Sequence, residues 1–280
     1  MTPPPNGERA IDPFEAFNLF TYDSVLILDV STTPGPLLPG STRCDERRPL
    51  LESAAAARSW ILDDMPPDDA KVALLLCEDS DAPRAEIVSR WLIEEHCRRV
   101  VRVSRTTMTA GYPFLFVPSL HGLPPYPNEI VPGELYLGSA ATANEAALDD
   151  LSISHIVSIV ERNLLPIAGR THKLCQIPDT DEAELLPVLK EALPFIASAL
   201  QDGGRVLVHC ERGASRSVSV VCAHLMLTDG VGLHDALAHV KAQRPCAQPN
   251  GGFLRQLQGR DVQELLRSFA NEARTAQGKA

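Results

Sequence analysis

Residues 205–227 constrain this chain more than any other stretch. Arg205-Val206-Leu207-Val208 reads as a short buried strand, and Ser217–Leu227 as an apolar helix. Between them stands His209-Cys210-Glu211-Arg212-Gly213-Ala214-Ser215-Arg216-Ser217. A strand that enters a helix through so tight a loop aims several backbone N–H groups at one point, which suits a bound oxyanion. Gly213 supplies the positive φ that such a loop needs.

The side chains in the loop match that geometry. A thiol at Cys210 lies near a helix N-terminus and a guanidinium, so its pKa falls below the ordinary value of about 8.5. Arg216 offers a planar fork that holds two phosphoryl oxygens. A thiolate nucleophile, an amide cradle formed by residues 211–216 and an arginine clamp together describe attack on a phosphate ester. No metal or other cofactor is needed for this.

The rest of the chain divides at residues 118–128, where four prolines and a glycine favour a stiff connector over helix or strand. Ahead of it, Ser24–Val30, Lys71–Leu76 and Arg99–Val103 read as strands, and Arg84–Glu95 as a helix. Strand, helix, strand in short order predicts a parallel sheet with crossover helices. Beyond it come a hairpin over Ile130–Leu137, a helix over Asn144–Leu151, a strand over Ile153–Val160 and a helical stripe of Leu185, Leu189, Leu193, Ile196 and Leu200. The fold class is therefore α/β in two domains.

Both halves carry more Asp and Glu than Lys and Arg, and the net charge of −10 argues against nucleic acid as a partner. No apolar stretch is long enough to span a bilayer, so no membrane partner is expected. Seven cysteines, an odd number without a CxxC pair, fit neither a disulfide framework nor a zinc finger. They point to a reduced setting, the cytoplasm or the nucleus.

The string from His209 to Ser217 resembles the signature of the protein tyrosine phosphatases, in the form carried by the dual-specificity subgroup. Glu129–Ser139 is similar to the opening strand of MAP kinase phosphatase catalytic domains. Ala223-His224-Leu225-Met226 is similar to their Ala-Tyr-Leu-Met helix, with His in place of Tyr. Val240–Pro245 and Pro249-Asn250 are similar to the segment closing that domain.

The resemblance implies that Cys210 and Arg216 are catalytic, that Ser217 helps the thiolate leave the phospho-cysteine, and that His209 supports the loop. It also implies a general acid about thirty residues before the cysteine. Asp179, 31 residues upstream, is favoured, and Asp181 is the rival, with a helix N-cap as its alternative role. His224, inside an apolar helix, reads as packing.

The same resemblance implies domains at 1–120 and 129–275, joined by a linker at 121–128. The second is a dual-specificity phosphatase domain whose central, mostly parallel sheet is flanked by helices. The first is similar to the rhodanese-like domain that precedes the catalytic domain in MAP kinase phosphatases. Cys77 ends a strand where a rhodanese cysteine would stand, yet Glu78, Asp79 and Asp81 follow it and oppose a persulfide anion. A docking or regulatory role is expected instead, with Arg43, Arg47 and Arg48 as the basic cluster to weigh.

The expected activity is hydrolysis of phosphotyrosine and phosphoserine or phosphothreonine in proteins, with a MAP kinase among the partners to consider. The alternative is a scaffold that holds phosphoproteins with little turnover, as in a pseudophosphatase relative similar over Pro125–Gly133. A disulfide between Cys175 and an oxidised Cys210 is a further expectation.

Overall fold

The computed structural model describes residues 8–20, 25–30, 41–43, 72–94, 99–115 and 124–277. Two compact units emerge, Met1–Leu123 and Pro124–Ala280. Residues 118–123 of the connector, and Arg47 and Arg48, lie outside the described residues.

The first unit contains β1 (Glu8–Ala10), α1 (Pro13–Phe20), β2 (Val25–Asp29), β3 (Ser41–Arg43), β4 (Val72–Cys77), α2 (Ala82–Glu94), β5 (Arg99–Ser104) and α3 (Arg105–Gly111). Its sheet has the order β1-β5-β4-β2-β3, and every pairing is parallel. Ala73 to Leu76 in β4 are fully buried. Such an unbroken apolar run is what a parallel strand covered on both faces requires. At the end of β2, buried Asp29 accepts from Arg105 Nε at 3.1 Å, which ties the start of α3 to the sheet.

The second unit contains β6 (Asn128–Val131), β7 (Leu135–Ser139), α4 (Glu145–Asp150), β8 (His155–Val160), β9 (Thr171–Gln176), α5 (Leu185–Gln201), β10 (Val206–Cys210), α6 (Arg216–Thr228), α7 (Leu233–Gln243), α8 (Gly251–Gln258) and α9 (Arg260–Gln277). Its sheet has the order β6-β7-β10-β8-β9, parallel except for the β6/β7 hairpin. β10, last in sequence, lies between the earlier β7 and β8. The order of strands therefore reverses at β10, and the crevice beyond the carboxyl ends of strands at such a point is where α/β sheets bind ligands.

Helix α6 is buried from Arg216 to Met226 and packs among α5, α7, α8, α9 and β10. A helix apolar all round is stable only when surrounded in this way. The expected nine-residue string contracts here: the strand runs on through Cys210 and the helix begins at Arg216, leaving 211–215 as the loop. Asn144, expected as the first helical residue, is instead the N-cap of α4, its side chain accepting from Ala147 N. Among the described residues no helix is long and apolar enough to cross a membrane.

Candidate active site

Cys210 closes β10 at the floor of the crevice and is 1% exposed. Its Sγ accepts from Gly213 N at 3.2 Å and from Ser217 Oγ at 3.1 Å. Burial alone would push this thiol up. The Ser217 hydroxyl, the Ser217 and Gly213 amides and the Arg216 charge together outweigh it and hold the thiol below its ordinary value. Gly213 takes φ 68°, and a Cβ there would lie 2.5 Å from the Gly138 carbonyl oxygen, so both conformation and space demand glycine.

Arg216 opens α6 with its side chain 8% exposed. Nη1 donates to Ile177 O at 3.4 Å and lies 3.5 Å from Glu161 Oε1, and Nε lies 3.6 Å from Asp179 Oδ2. Nε is buried and makes no hydrogen bond, since Asp179 Oδ2 lies beyond hydrogen-bond reach, so this donor is still unsatisfied. Val160, Glu161, Arg162, Glu211 and Arg216 line an open pocket of about 410 Å³ above the loop.

Asp179 is fixed from two sides. Its Oδ1 accepts from Ser215 Oγ at 2.6 Å and from Asn250 Nδ2 at 2.8 Å, which leaves Oδ2 toward Arg216. Asp181 faces away, pairing with Arg255 at 3.1 Å. Its alternative as an N-cap is corrected by the structure: Glu184 precedes α5, with no side-chain cap. The chain segment of Asp179 and Asp181 seats on α8, where a methyl at Gly252 would collide with the Asp181 carbonyl.

Ser215 stands at the N-cap of α6 without capping it. Its hydroxyl donates to Asp179 and accepts from Asn250 N at 3.1 Å, so it caps none of the first amides of α6. His209 Nε2 shares a 2.6 Å hydrogen bond with Ser158 Oγ, which makes a second 2.6 Å bond to His172 Nε2. A hydroxyl has one proton to give, so at least one imidazole donates. Burial pushes His209 down to about 4, so it is neutral at pH 7. His224 is likewise buried within α6 and pushed down to about 4.

The expected Cys175–Cys210 disulfide does not fit this sheet. His209 pairs with Ser158 and Ser158 with Leu174, so the two cysteines, each one residue further on, flank β8. Two strand spacings separate their Cα atoms by roughly 9.6 Å. Disulfides need less than about 7 Å.

The fold adds Asn250, Ser158 and Glu161 to the site. Pro249-Asn250 ahead of Gly251-Gly252 is a helix-start signal, which places Asn250 in the fold without assigning its bond to Asp179.

Residues 135–261 match the family model described as dual specificity phosphatase, catalytic domain. Dual specificity protein phosphatase 1 of Arabidopsis thaliana is 39% identical over 163 residues, covering 57% of this chain and 74% of that protein. A probable rhodanese domain-containing dual specificity protein phosphatase of Dictyostelium discoideum is 36% identical over 144 residues, 50% of this chain and 30% of that protein. The chain therefore spans less than a third of the Dictyostelium relative. The crystal structure of DUSP15 is similar over 51% of this chain and 94% of its own, at 35% identity and a TM-score of 0.47.

Proposed function

The chain belongs to the dual specificity protein phosphatases, and from that premise we propose that its second unit hydrolyses phosphate monoesters on proteins through a phospho-cysteine at Cys210. The thiolate attacks phosphorus and forms the S–P bond as the ester P–O bond breaks. Protonated Asp179 gives its proton to the leaving phenoxide or alkoxide. The amides of residues 211–216 and the Arg216 guanidinium hold the equatorial oxygens as charge builds there. In the second half, Asp179 as carboxylate takes a proton from water as the water oxygen attacks phosphorus. The S–P bond breaks, and the hydroxyl of Ser217 meets the returning thiolate. Neutral His209, bonded to Ser158 on the neighbouring strand, supports the residue before the nucleophile and exchanges no proton with substrate.

The hydrogen bonds from Gly213 and Ser217 to Cys210 Sγ carry this reading, because a buried thiol not meant to ionise has no use for such donors and a guanidinium. The test is turnover of an aryl phosphate and of phosphotyrosine, phosphothreonine and doubly phosphorylated kinase peptides side by side. Phosphate release from the peptides is expected. Tight peptide binding with no release by the wild-type chain would favour a scaffold.

The doubly phosphorylated activation segment of a MAP kinase is the substrate to try first, on the resemblance of Glu129–Ser139 and Ala223–Met226 to MAP kinase phosphatases. The first unit is then a rhodanese-like module for docking or regulation, with all strands parallel and Cys77 at the end of β4. The cytoplasm or nucleus suits a reduced nucleophilic thiol.

A further inference from the structure

The amides of the 211–215 loop point inward only if its carbonyls point away, and each of the five carbonyls is bonded within the protein, Ser215 O as the first acceptor of the α6 ladder. Glu211 O accepts from Ala140 N at 3.2 Å, Ala214 O from Gln248 N at 2.7 Å, and Ser215 O from Ser219 N at 2.9 Å and Ser219 Oγ at 3.0 Å. The middle two belong to one side chain. Arg244 Nε donates to Gly213 O at 2.7 Å and Nη2 to Arg212 O at 3.1 Å, while Nη1 donates to the buried Asn128 Oδ1 at 2.6 Å.

This guanidinium is itself held in place. Arg244 is the C-cap of α7, its N–H donating to Val240 O, and its carbonyl accepts from Ala247 N. Gly213 is pressed between Gly138 and Arg244, since a Cβ there would lie 2.6 Å from Arg244 Nη2. All three acceptors are neutral oxygens, and among the described residues Arg244 forms no ion pair. Its charge therefore lies behind the loop without a carboxylate beside it, with a sign that favours an anion in front.

We propose that Arg244, braced by Asn128, is a positioning residue that turns the Arg212–Gly213 peptides so that their amides face the Cys210 thiolate and the substrate's phosphoryl oxygens. The proposal rests on the phosphatase reading for its consequence in turnover, but not for its consequence in anion binding. The hydrogen bonds of the Arg244 guanidinium go to Gly213 O, Arg212 O and Asn128 Oδ1, not to Sγ. It acts through the orientation of Gly213 N, one of the donors to Sγ.

The test compares the full wild-type chain with Arg244→Met, which keeps the stem without donors, and Arg244→Lys, which keeps charge without the fork. Readouts are the pH profile of iodoacetamide alkylation at Cys210, inhibition or binding by orthovanadate, aryl phosphate kcat/KM and the melting temperature. For Arg244→Met the alkylation midpoint should rise by about one pH unit. Vanadate should bind roughly tenfold more weakly and kcat/KM should fall at least as far, since misaimed oxyanion donors lose their effect. Arg244→Lys should recover only part of each.

Arg244→Met that folds yet titrates and binds vanadate like the wild type overturns the proposal. If Arg244→Met does not fold, Arg244→Lys decides by the same two readouts. A wild-type chain without turnover overturns the phosphatase reading, while the alkylation midpoint and vanadate affinity still judge Arg244.

Discussion

Two strands of this chain end on a cysteine and lead through a short loop into a helix, β4 into α2 and β10 into α6. The loops differ by one residue, 78–81 against 211–215. In the first, the Glu78 amide donates to the Asp81 carboxylate at 3.1 Å, and Glu78 itself accepts from Ser104 Oγ at 3.0 Å and Thr106 N at 2.6 Å. The anion that these donors serve is the protein's own. In the second, the Gly213 amide and Ser217 hydroxyl converge on the cysteine sulfur, and the loop's capping hydroxyl is drawn off by Asp179. A strand–Cys–helix arrangement is thus common to both units. What separates them is that a carboxylate of the first loop already holds the amide after the cysteine, whereas in the second a loop amide turns to the sulfur.

The sharpest way to break this contrast is to remove each sulfur. Cys210→Ser should lower aryl phosphate turnover by on the order of 10⁵-fold, as loss of a covalent nucleophile does. Cys77→Ser should leave it within about twofold, as for a residue outside the site. Comparable losses from both would end the distinction.

Next comes the carboxylate that faces the second loop instead of filling it. Asp179→Asn should lower kcat by about 10²- to 10³-fold, the usual worth of a positioned acid. Asp181→Asn, on the Arg255 side, should change kcat by less than about threefold. Steady-state kinetics on the aryl ester distinguishes them, and a reversed order would transfer the role of acid to Asp181.

The units should also differ in acid. The second buries His209 and His224, each driven by burial to about 4. An unfolded histidine takes its proton near pH 6.5, so between pH 6.5 and 4 the unfolded chain binds protons that the folded chain refuses. Stability is therefore lost as pH falls across that window, by up to about 3 kcal/mol for each histidine. His224→Phe should flatten the slope by one histidine's share in urea unfolding monitored on the second unit. An unchanged slope would show that His224 titrates alike in both states.

The smallest effect concerns thiol selectivity. Iodoacetamide at pH 6 should label Cys210 ahead of Cys175 and Cys222, which burial pushes up to about 11 and about 12. Ser217→Ala removes one donor from the thiolate and should move the Cys210 profile up by about one unit. Mass spectrometry of the labelled peptides reads both.

Much of this was legible in the string of residues. The apolar runs within Lys71–Leu76 and Arg205–Val208 announce buried strands, and the His209–Ser217 spacing announces an anion loop, because these are local signals. Asp179 was reached by distance along the chain and a resemblance. Its bonds to Ser215 and Asn250 could not be read, since they span 36 and 71 residues. The disulfide expectation failed for the same reason: the strand order that inserts β8 between Cys175 and Cys210 is a property of the sheet. Arg244 stayed hidden because it serves backbone carbonyls, which carry no sequence signature.

The ties on the loop have one more consequence. Arg244 reaches back 31 and 32 residues to the loop and 116 to Asn128, so the site is stitched from segments that meet only when the whole second unit has formed. Contacts of such long range close late in folding, after the loop-closure entropy has been met. Catalytic competence should therefore return with the last phase of refolding, and a proteolytic fragment lacking β6 or α7 should lose its grip on phosphate. Enzyme activity in this chain is a gauge of global order in the second unit.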